Sequence, residues 1–316
     1  MISSIQIENT EIYLLVKTYH FKNKVISLYN IVMENHYQFA KDVDFVSETL
    51  ELSLNKIISE LKVSESGFYH ALKGGEAPNE ILESFYSFAY QNGFRLNKVK
   101  EEMFRENLKN DEILLFHGSS LGIQKIDPKG SREDCDFSYG FYCGESYSSA
   151  LCFVEGDPES SVYAFKTNLD GLKVGQFHND LEWMLSICYH RGTLKKYENH
   201  PKLLKLIQKH QDDDVIIAPI ANNKMFRVMQ GFAKGEISDA QAIHALSASR
   251  LGKQYVFKTS KAVSKLLELE RLYLCVREKE ASRTSSLERA HEIQTKLDLS
   301  KREYRREGFY IDEVFR

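Results

Sequence analysis

The chain has 316 residues, of which 42% are hydrophobic and 28% charged, with a net charge of −3. That profile excludes a disordered or collagen-like chain, and it excludes a generally basic surface able to hold nucleic acid by phosphate contacts alone. The longest apolar runs, such as VIIAPIA at 215–221, are too short to span a bilayer, and the N-terminus has no basic stretch leading into an apolar one, so neither a signal peptide nor a membrane partner is expected.

In chain order, residues 1–110 read as helix after helix, with apolar positions at helical spacing over 25–39 and again over 81–89. From 112 onward short β-type runs appear at 113–116, 140–144, 162–166, 214–220, 254–258 and 272–276. Helices are predicted between them at 145–154, 179–190, 201–209, 223–233 and 238–246. Strands so widely separated make an α+β pattern, not a regular βαβ repeat. The polar run LKNDE at 108–112 suggests a junction, and the segment from 280 to 308 is highly charged with sparse apolar positions. A solvated helix is the favoured reading of that segment, ahead of a partner-binding one. The expected division is a helical domain over 1–110, an α+β domain over 111–280, and a charged C-terminal helix or tail over 281–316.

Within the first region, LSLNKIISELKVSESGFYHALKGG at 52–75 has the layout of a helix-turn-helix. The first helix would be Leu54–Leu61, the turn Lys62-Val63-Ser64 with Val63 buried, and the second helix 65–73 with Ser64 as its N-cap and Gly74-Gly75 at its end. The spacing resembles phage-repressor-type helix-turn-helix domains, whose second helix reads the major groove through Arg, Lys, Gln or Asn. Here that face offers Glu65, Ser66, Tyr69, His70 and Lys73, and residues 1–105 hold 11 Lys+Arg against 14 Asp+Glu. Counterion release from such a surface is weak. A small bundle that packs on the second domain or binds a protein is favoured, and DNA binding is the weaker alternative.

Five cysteines (135, 143, 152, 188 and 275), odd in number and without Cys-x-x-Cys, argue against a disulfide framework or thiolate zinc site and fit a reducing cytoplasm. No metal is expected. The chemistry is concentrated in 113–156. A β-run ends in His117-Gly118-Ser119, a polar loop follows, and Tyr139-Gly140-Phe141-Tyr142-Cys143 then leads into a helix carrying Phe153. Glycine after His117 lets another group approach the backbone, whose donor and acceptor suit a carboxamide. Tyr142 and Phe153, eleven residues apart across a strand–helix turn, are placed to sandwich a flat ring, and a cationic ring gains from their π faces. Taken singly, each of these residues reads as ordinary core or strand end.

Together, in this order, they resemble the ADP-ribosyltransferase fold of the diphtheria-toxin and poly-ADP-ribose polymerase clade. FHGSS at 116–120, YGFYCG at 139–144 and Phe153 carry the likeness. The run from 113 to about 270 more closely resembles a bacterial family of ADP-ribosyltransferase-like domains long catalogued as of unknown function. DFSYGFY (136–142), LEWML (181–185), DVIIAPIANN (214–223) and QYVFKT (254–259) match its segments in order. The implied fold is a split β-sheet with helices, and the implied co-substrate is NAD. The resemblance assigns His117 to a ribose hydroxyl, the Gly118 backbone to the carboxamide, Tyr142 and Phe153 to the nicotinamide ring, and Ser119 to the adenosine-side ribose.

The reaction so implied cleaves the bond between ribose C1′ and the nicotinamide nitrogen through a transition state with positive charge on the ribose, which a nearby acceptor favours. In better-known members that acceptor is a glutamate opening a late strand. The matching residue here is Gln254, which can bind a ribose 2′-hydroxyl but cannot act as a general base. A surface strand residue is the equal alternative. Single-unit transfer is the expected outcome. Asp214 is the rival acid, or a cap of its own strand. Asn222 and Asn223 are candidates for recognising NAD or acceptor, or turn residues. Asp136 is expected to fix its loop, Trp183 to lie in the core, and His190-Arg191 to be a solvated helix end sooner than a phosphate site.

The sequence therefore points to an NAD-dependent mono-ADP-ribosyltransferase, a bacterial toxin, effector or phage-defence enzyme acting on a protein or nucleic acid. An antitoxin or regulatory protein would contact its N-terminal domain. The alternatives are a DNA-binding or protein-interaction regulator with an inactive transferase-like domain, and an NAD glycohydrolase. A redox dehydrogenase is disfavoured because no strand–Gly-x-Gly-x-x-Gly–helix unit is present.

Overall fold

A computed structural model describes residues 37–247 and 252–316. The helical region holds α1 (Phe39–Thr49), α2 (Leu54–Leu61), α3 (Glu65–Leu72), α4 (Asn79–Gln91) and α5 (Leu96–Glu106). There follow β1 (Ile113–Ser119), β2 (Phe141–Gly144), α6 (Tyr147–Val154), β3 (Ser161–Thr167), β4 (Val174–Gln176) and α7 (Leu181–His190). After a 3-10 turn at Lys195–Tyr197 come α8 (Pro201–Lys209), β5 (Val215–Pro219), α9 (Asn223–Ala233), α10 (Asp239–Leu246) and β6 (Lys253–Phe257). The chain closes with α11 (Ser260–Val263), β7 (Leu267–Tyr273), α12 (Val276–Glu303) and α13 (Ile311–Val314). The fold class is α+β, with a helical N-terminal region preceding the strands. The helical reading of 25–39 lies outside the described residues except at 37–39. No helix among the described residues is long and apolar enough to cross a membrane.

Two compact units interleave along the chain. Among the described residues, one comprises 37–122, 146–166 and 268–282, and the other 123–145, 167–247, 252–267 and 283–316. The junction at 108–112 therefore lies inside the first unit.

In the first unit the helix-turn-helix forms because its punctuation is local. Ser53 caps α2 by accepting from the Lys56 amide, Lys62 takes a left-handed φ of 55°, and Ser64 caps α3 by accepting from the Gly67 amide. The helices enclose an aromatic core in which Phe39 meets Phe68 and Phe85 edge-on, at 5.3 and 5.4 Å between centroids. Each such buried side chain contributes about 1.5–3 kcal/mol. The strand order here is β1-β3-β7. Strand β7 begins at Leu267, five residues earlier than the expected run at 272–276, and the helix α12 starts at Val276. The expected apolar signal is missing because Glu270 is buried there. Lys100 lies 2.5 Å from both Glu270 and Asp42, and Asp42 also accepts from the Tyr86 hydroxyl. A carboxylate paired in this way occupies a core position that hydrophobic periodicity does not register.

In the second unit the order is β4-β5-β6-β2. Strands β4 and β5 are parallel, with Val174 opposite Val215, whereas β5–β6 and β6–β2 are antiparallel, with Ala218 opposite Gln254 and Tyr142 opposite Val256. Strand β4, three residues long, is too short to leave a pattern in the sequence. Helices α7, α9 and α10 bury Trp183, Met184, Ile187, Met229, Phe232 and Ala242. Beyond α12, whose faces are mostly exposed, the last residues pack inward. Phe315 stacks on Tyr197 at 4.4 Å, and Asp312 meets Lys196 and Tyr197.

Candidate functional site

The first unit holds four of the candidate residues. Strand β1 ends in His117, Gly118 and Ser119. A Cβ on Gly118 would stand 2.6 Å from the Ala150 carbonyl oxygen and 3.0 Å from Val154, so this glycine lets α6 lie directly on β1. The Ser119 hydroxyl donates to the Gly122 carbonyl at 2.9 Å, closing the turn after the strand. Helix α6 turns Tyr147, Ala150, Leu151 and Val154 inward, at positions i, i+3, i+4 and i+7, and leaves Phe153 58% exposed.

The second unit holds Tyr142, Asp214, Asn222 and Gln254. Gly140 precedes β2 where a Cβ would come within 2.4 Å of Val256 Cγ1 and 3.5 Å of the Tyr142 ring, so a side chain there would have to displace Val256. The Tyr142 hydroxyl donates to the Ser138 carbonyl at 2.6 Å and accepts from the Phe137 amide at 3.1 Å. The ring is thereby locked against its own loop, and burial pushes the phenol far above its ordinary range. The ring is thus a fixed aromatic surface whose phenol burial keeps protonated.

On the neighbouring strand Gln254 is buried, at 7% exposure, so it is not a surface strand residue. Its Nε2 donates to Asp136 Oδ2 at 2.9 Å and to the Pro219 carbonyl at 3.0 Å. Both amide protons are used, while Oε1 has no partner among the described residues. Asp136 fixes its loop as expected, but through a partner the sequence did not reveal. Its Oδ1 meets the Arg191 guanidinium, which also lies 4.3 Å over the Phe226 ring. Burial raises the Asp136 carboxyl above its ordinary value, opposed by Arg191 and Gln254.

Arg191 is thus no solvated helix end; its side chain is 19% exposed and ion-paired. His190 beside it is held neutral, pushed down to about 4 by burial and by the Lys258 charge. Lys258 in turn donates to the Phe137 carbonyl at 2.8 Å, a third tie on the loop that carries Asp136. Trp183 lies wholly in the core, as expected, and its indole N–H has no partner among the described residues. It borders a pocket of about 150 Å³ with Asn179, Pro219, Ile220 and Met225.

Two candidates make structural hydrogen bonds of their own. Asp214 precedes β5 at the end where Val215 faces Phe257, whereas Gln254 faces Ala218, three strand residues further along, roughly 10 Å away. Its carboxylate accepts from the Lys173 amide at 3.0 Å and the Thr259 hydroxyl at 2.7 Å, bonds that hold it below the usual carboxylate range. It ties β4 and β6 to β5 and is not brought to Gln254. Asn222 is the N-cap of α9, its Oδ1 accepting from the Lys224 and Met225 amides at 3.0 and 2.9 Å. Asn223 is the first residue of that helix.

Among the described residues no group of three or more His, Cys, Asp or Glu side chains is arranged to hold a metal ion. No curated protein and no solved structure matches the chain. Residues 113–268, the stretch that carries β1 through the start of β7, match a family model whose description is "Protein of unknown function (DUF3990)".

Proposed function

We propose that this protein binds NAD and transfers single ADP-ribose units to a macromolecular acceptor, releasing nicotinamide. The observation that carries the reading is Gln254. Its amide is oriented by two hydrogen bonds through Nε2, with no partner for Oε1 among the described residues, on a strand whose register sets Gly144 opposite it and Tyr142 opposite Val256. A rigid aromatic face and a preoriented neutral acceptor on adjacent strands suit a planar ring joined to a ribose.

In the proposed reaction the bond from ribose C1′ to the nicotinamide nitrogen breaks and its electron pair leaves with nicotinamide. The acceptor's nucleophile bonds to C1′ and gives up its proton to solvent water. Gln254 Oε1 accepts from the ribose 2′-hydroxyl and stabilises the developing positive charge less than a carboxylate would. It cannot remove a proton from the acceptor, which supports single-unit transfer over polymer formation. His117 and Ser119 enter this reading through their motif. The five free cysteines suit action in a reducing cytoplasm, as a toxin, effector or phage-defence enzyme. The exposed face of α3, with Glu65, Ser66, His70 and Lys73, suits a protein partner better than duplex DNA.

The test incubates the full chain with adenine-labelled NAD and bacterial lysate. Label on a macromolecule together with free nicotinamide is expected, and both are lost in His117→Ala and Tyr142→Ala. Nicotinamide release without a labelled macromolecule would make the protein a glycohydrolase. Absence of both NAD binding and nicotinamide release would overturn the reading, and salt-sensitive duplex binding untouched by His117→Ala would replace it with a regulator.

A further inference from the structure

A glutamine stands where the resemblance calls for a glutamate, and its surroundings explain why. Gln254 Nε2 faces two acceptors, Asp136 Oδ2 at 2.9 Å and the Pro219 carbonyl at 3.0 Å. A glutamate at 254 would put an oxygen in that place, bringing three acceptors together with no proton between them. The negative charge is present nonetheless, one hydrogen bond further back. Asp136 is 6% exposed, its other oxygen meets Arg191, and its loop is held by Tyr142 and Lys258.

We infer that Asp136 is a positioning residue that supplies, through the Gln254 amide, the charge a strand carboxylate would otherwise bring to the reacting ribose. The inference rests on the transfer reading above and deepens it. A carboxylate that accepts from an amide N–H draws positive character onto that nitrogen and strengthens the amide oxygen as an acceptor. In a low-dielectric surrounding such chains of hydrogen bonds reinforce one another. The same bond prevents the amide from turning over, so Oε1 cannot be exchanged for a donor. Arg191 balances the buried carboxylate and reduces its reach, so the oxygen of Gln254 remains a weaker stabiliser than a full carboxylate. Asp136 itself never touches the substrate.

The test is a cycle of four full-length proteins: wild type, Asp136→Asn, Gln254→Glu, and the double variant. Nicotinamide release from NAD and the midpoint of thermal unfolding are measured for each. Asp136→Asn keeps an acceptor for Gln254 but removes the charge. Its kcat should fall about tenfold or more with little change in KM, since the charge acts on the transition state. Gln254→Glu should lose about 100-fold through misplacement and repulsion. In the double variant the amide and carboxylate exchange places, and activity should rise at least tenfold above Gln254→Glu, short of wild type because the Pro219 carbonyl still faces an oxygen. A double variant no better than Gln254→Glu, or an Asp136→Asn protein with unchanged kcat, would overturn the inference. If the wild type releases no nicotinamide, the transfer reading has failed on its own. The unfolding midpoints then decide whether the two residues act as a pair: additive losses refute it, and recovery in the double variant supports it.

Discussion

Glu278 offers a sharp test of how burial and charge balance in the first unit. It lies in the first turn of α12, where the positive end of a helix ordinarily favours a carboxylate by about 0.3–1 kcal/mol. Burial outweighs that benefit. Despite a hydrogen bond from Asn97 Nδ2 at 2.9 Å and another from Tyr147, the carboxyl is pushed up to about 7. The folded chain therefore holds a proton that the unfolded chain releases near 4.5. This stabilisation is complete below the unfolded value and is lost as pH rises through 7. Over that window it amounts to about 3 kcal/mol. Glu278→Gln keeps an acceptor for Asn97 and removes the ionisation. The stability difference between Glu278→Gln and wild type, measured by urea unfolding at pH 5, 6, 7 and 8, should move by about 3 kcal/mol in favour of the variant as pH rises. A difference that stays constant from pH 5 to 8, or that moves the other way, would refute the argument that burial dominates at this position.

Three further outcomes follow from the packing. Lys100→Met strands Asp42 and Glu270 as buried carboxylates, so it should cost about 3–5 kcal/mol at pH 7, with partial recovery in acid, read by denaturant unfolding. Gly118→Ala forces α6 off β1 against the Ala150 carbonyl and should lower stability by about 1–3 kcal/mol, measured the same way. Asn222→Ala removes the cap of α9 and should cost about 1 kcal/mol while leaving NAD affinity in a calorimetric titration unchanged; a loss of affinity at intact stability would return Asn222 to the binding site.

Local chemistry made much of this protein readable from its residues. Pro201–Lys209 and Asn223–Ala233 form helices over the expected residues because a Pro and an Asn mark their starts, and the helix-turn-helix is legible because Ser53, Lys62 and Ser64 punctuate it within twelve residues. Tyr142 stood out by its type and its spacing to Phe153, whereas the steric demand on Gly140 comes from Val256, 116 residues away.

What was not readable depends on contacts between distant parts of the chain. Arg191 meets Asp136 across 55 residues, and Lys100 meets Glu270 across 170, so neither partner leaves a pattern near the other. Asp214 stood as the rival acid to Gln254 until the antiparallel register of β5 and β6 set them toward opposite ends of the pairing. Composition, capping and periodicity determined most of the elements, though not β4 or the start of β7, and the α+β class, because those act over a few residues. The tertiary structure decided which carboxylates are buried, which are paired and which way the Gln254 amide points, because a charge's fate is set by the dielectric and the partners that folding brings around it.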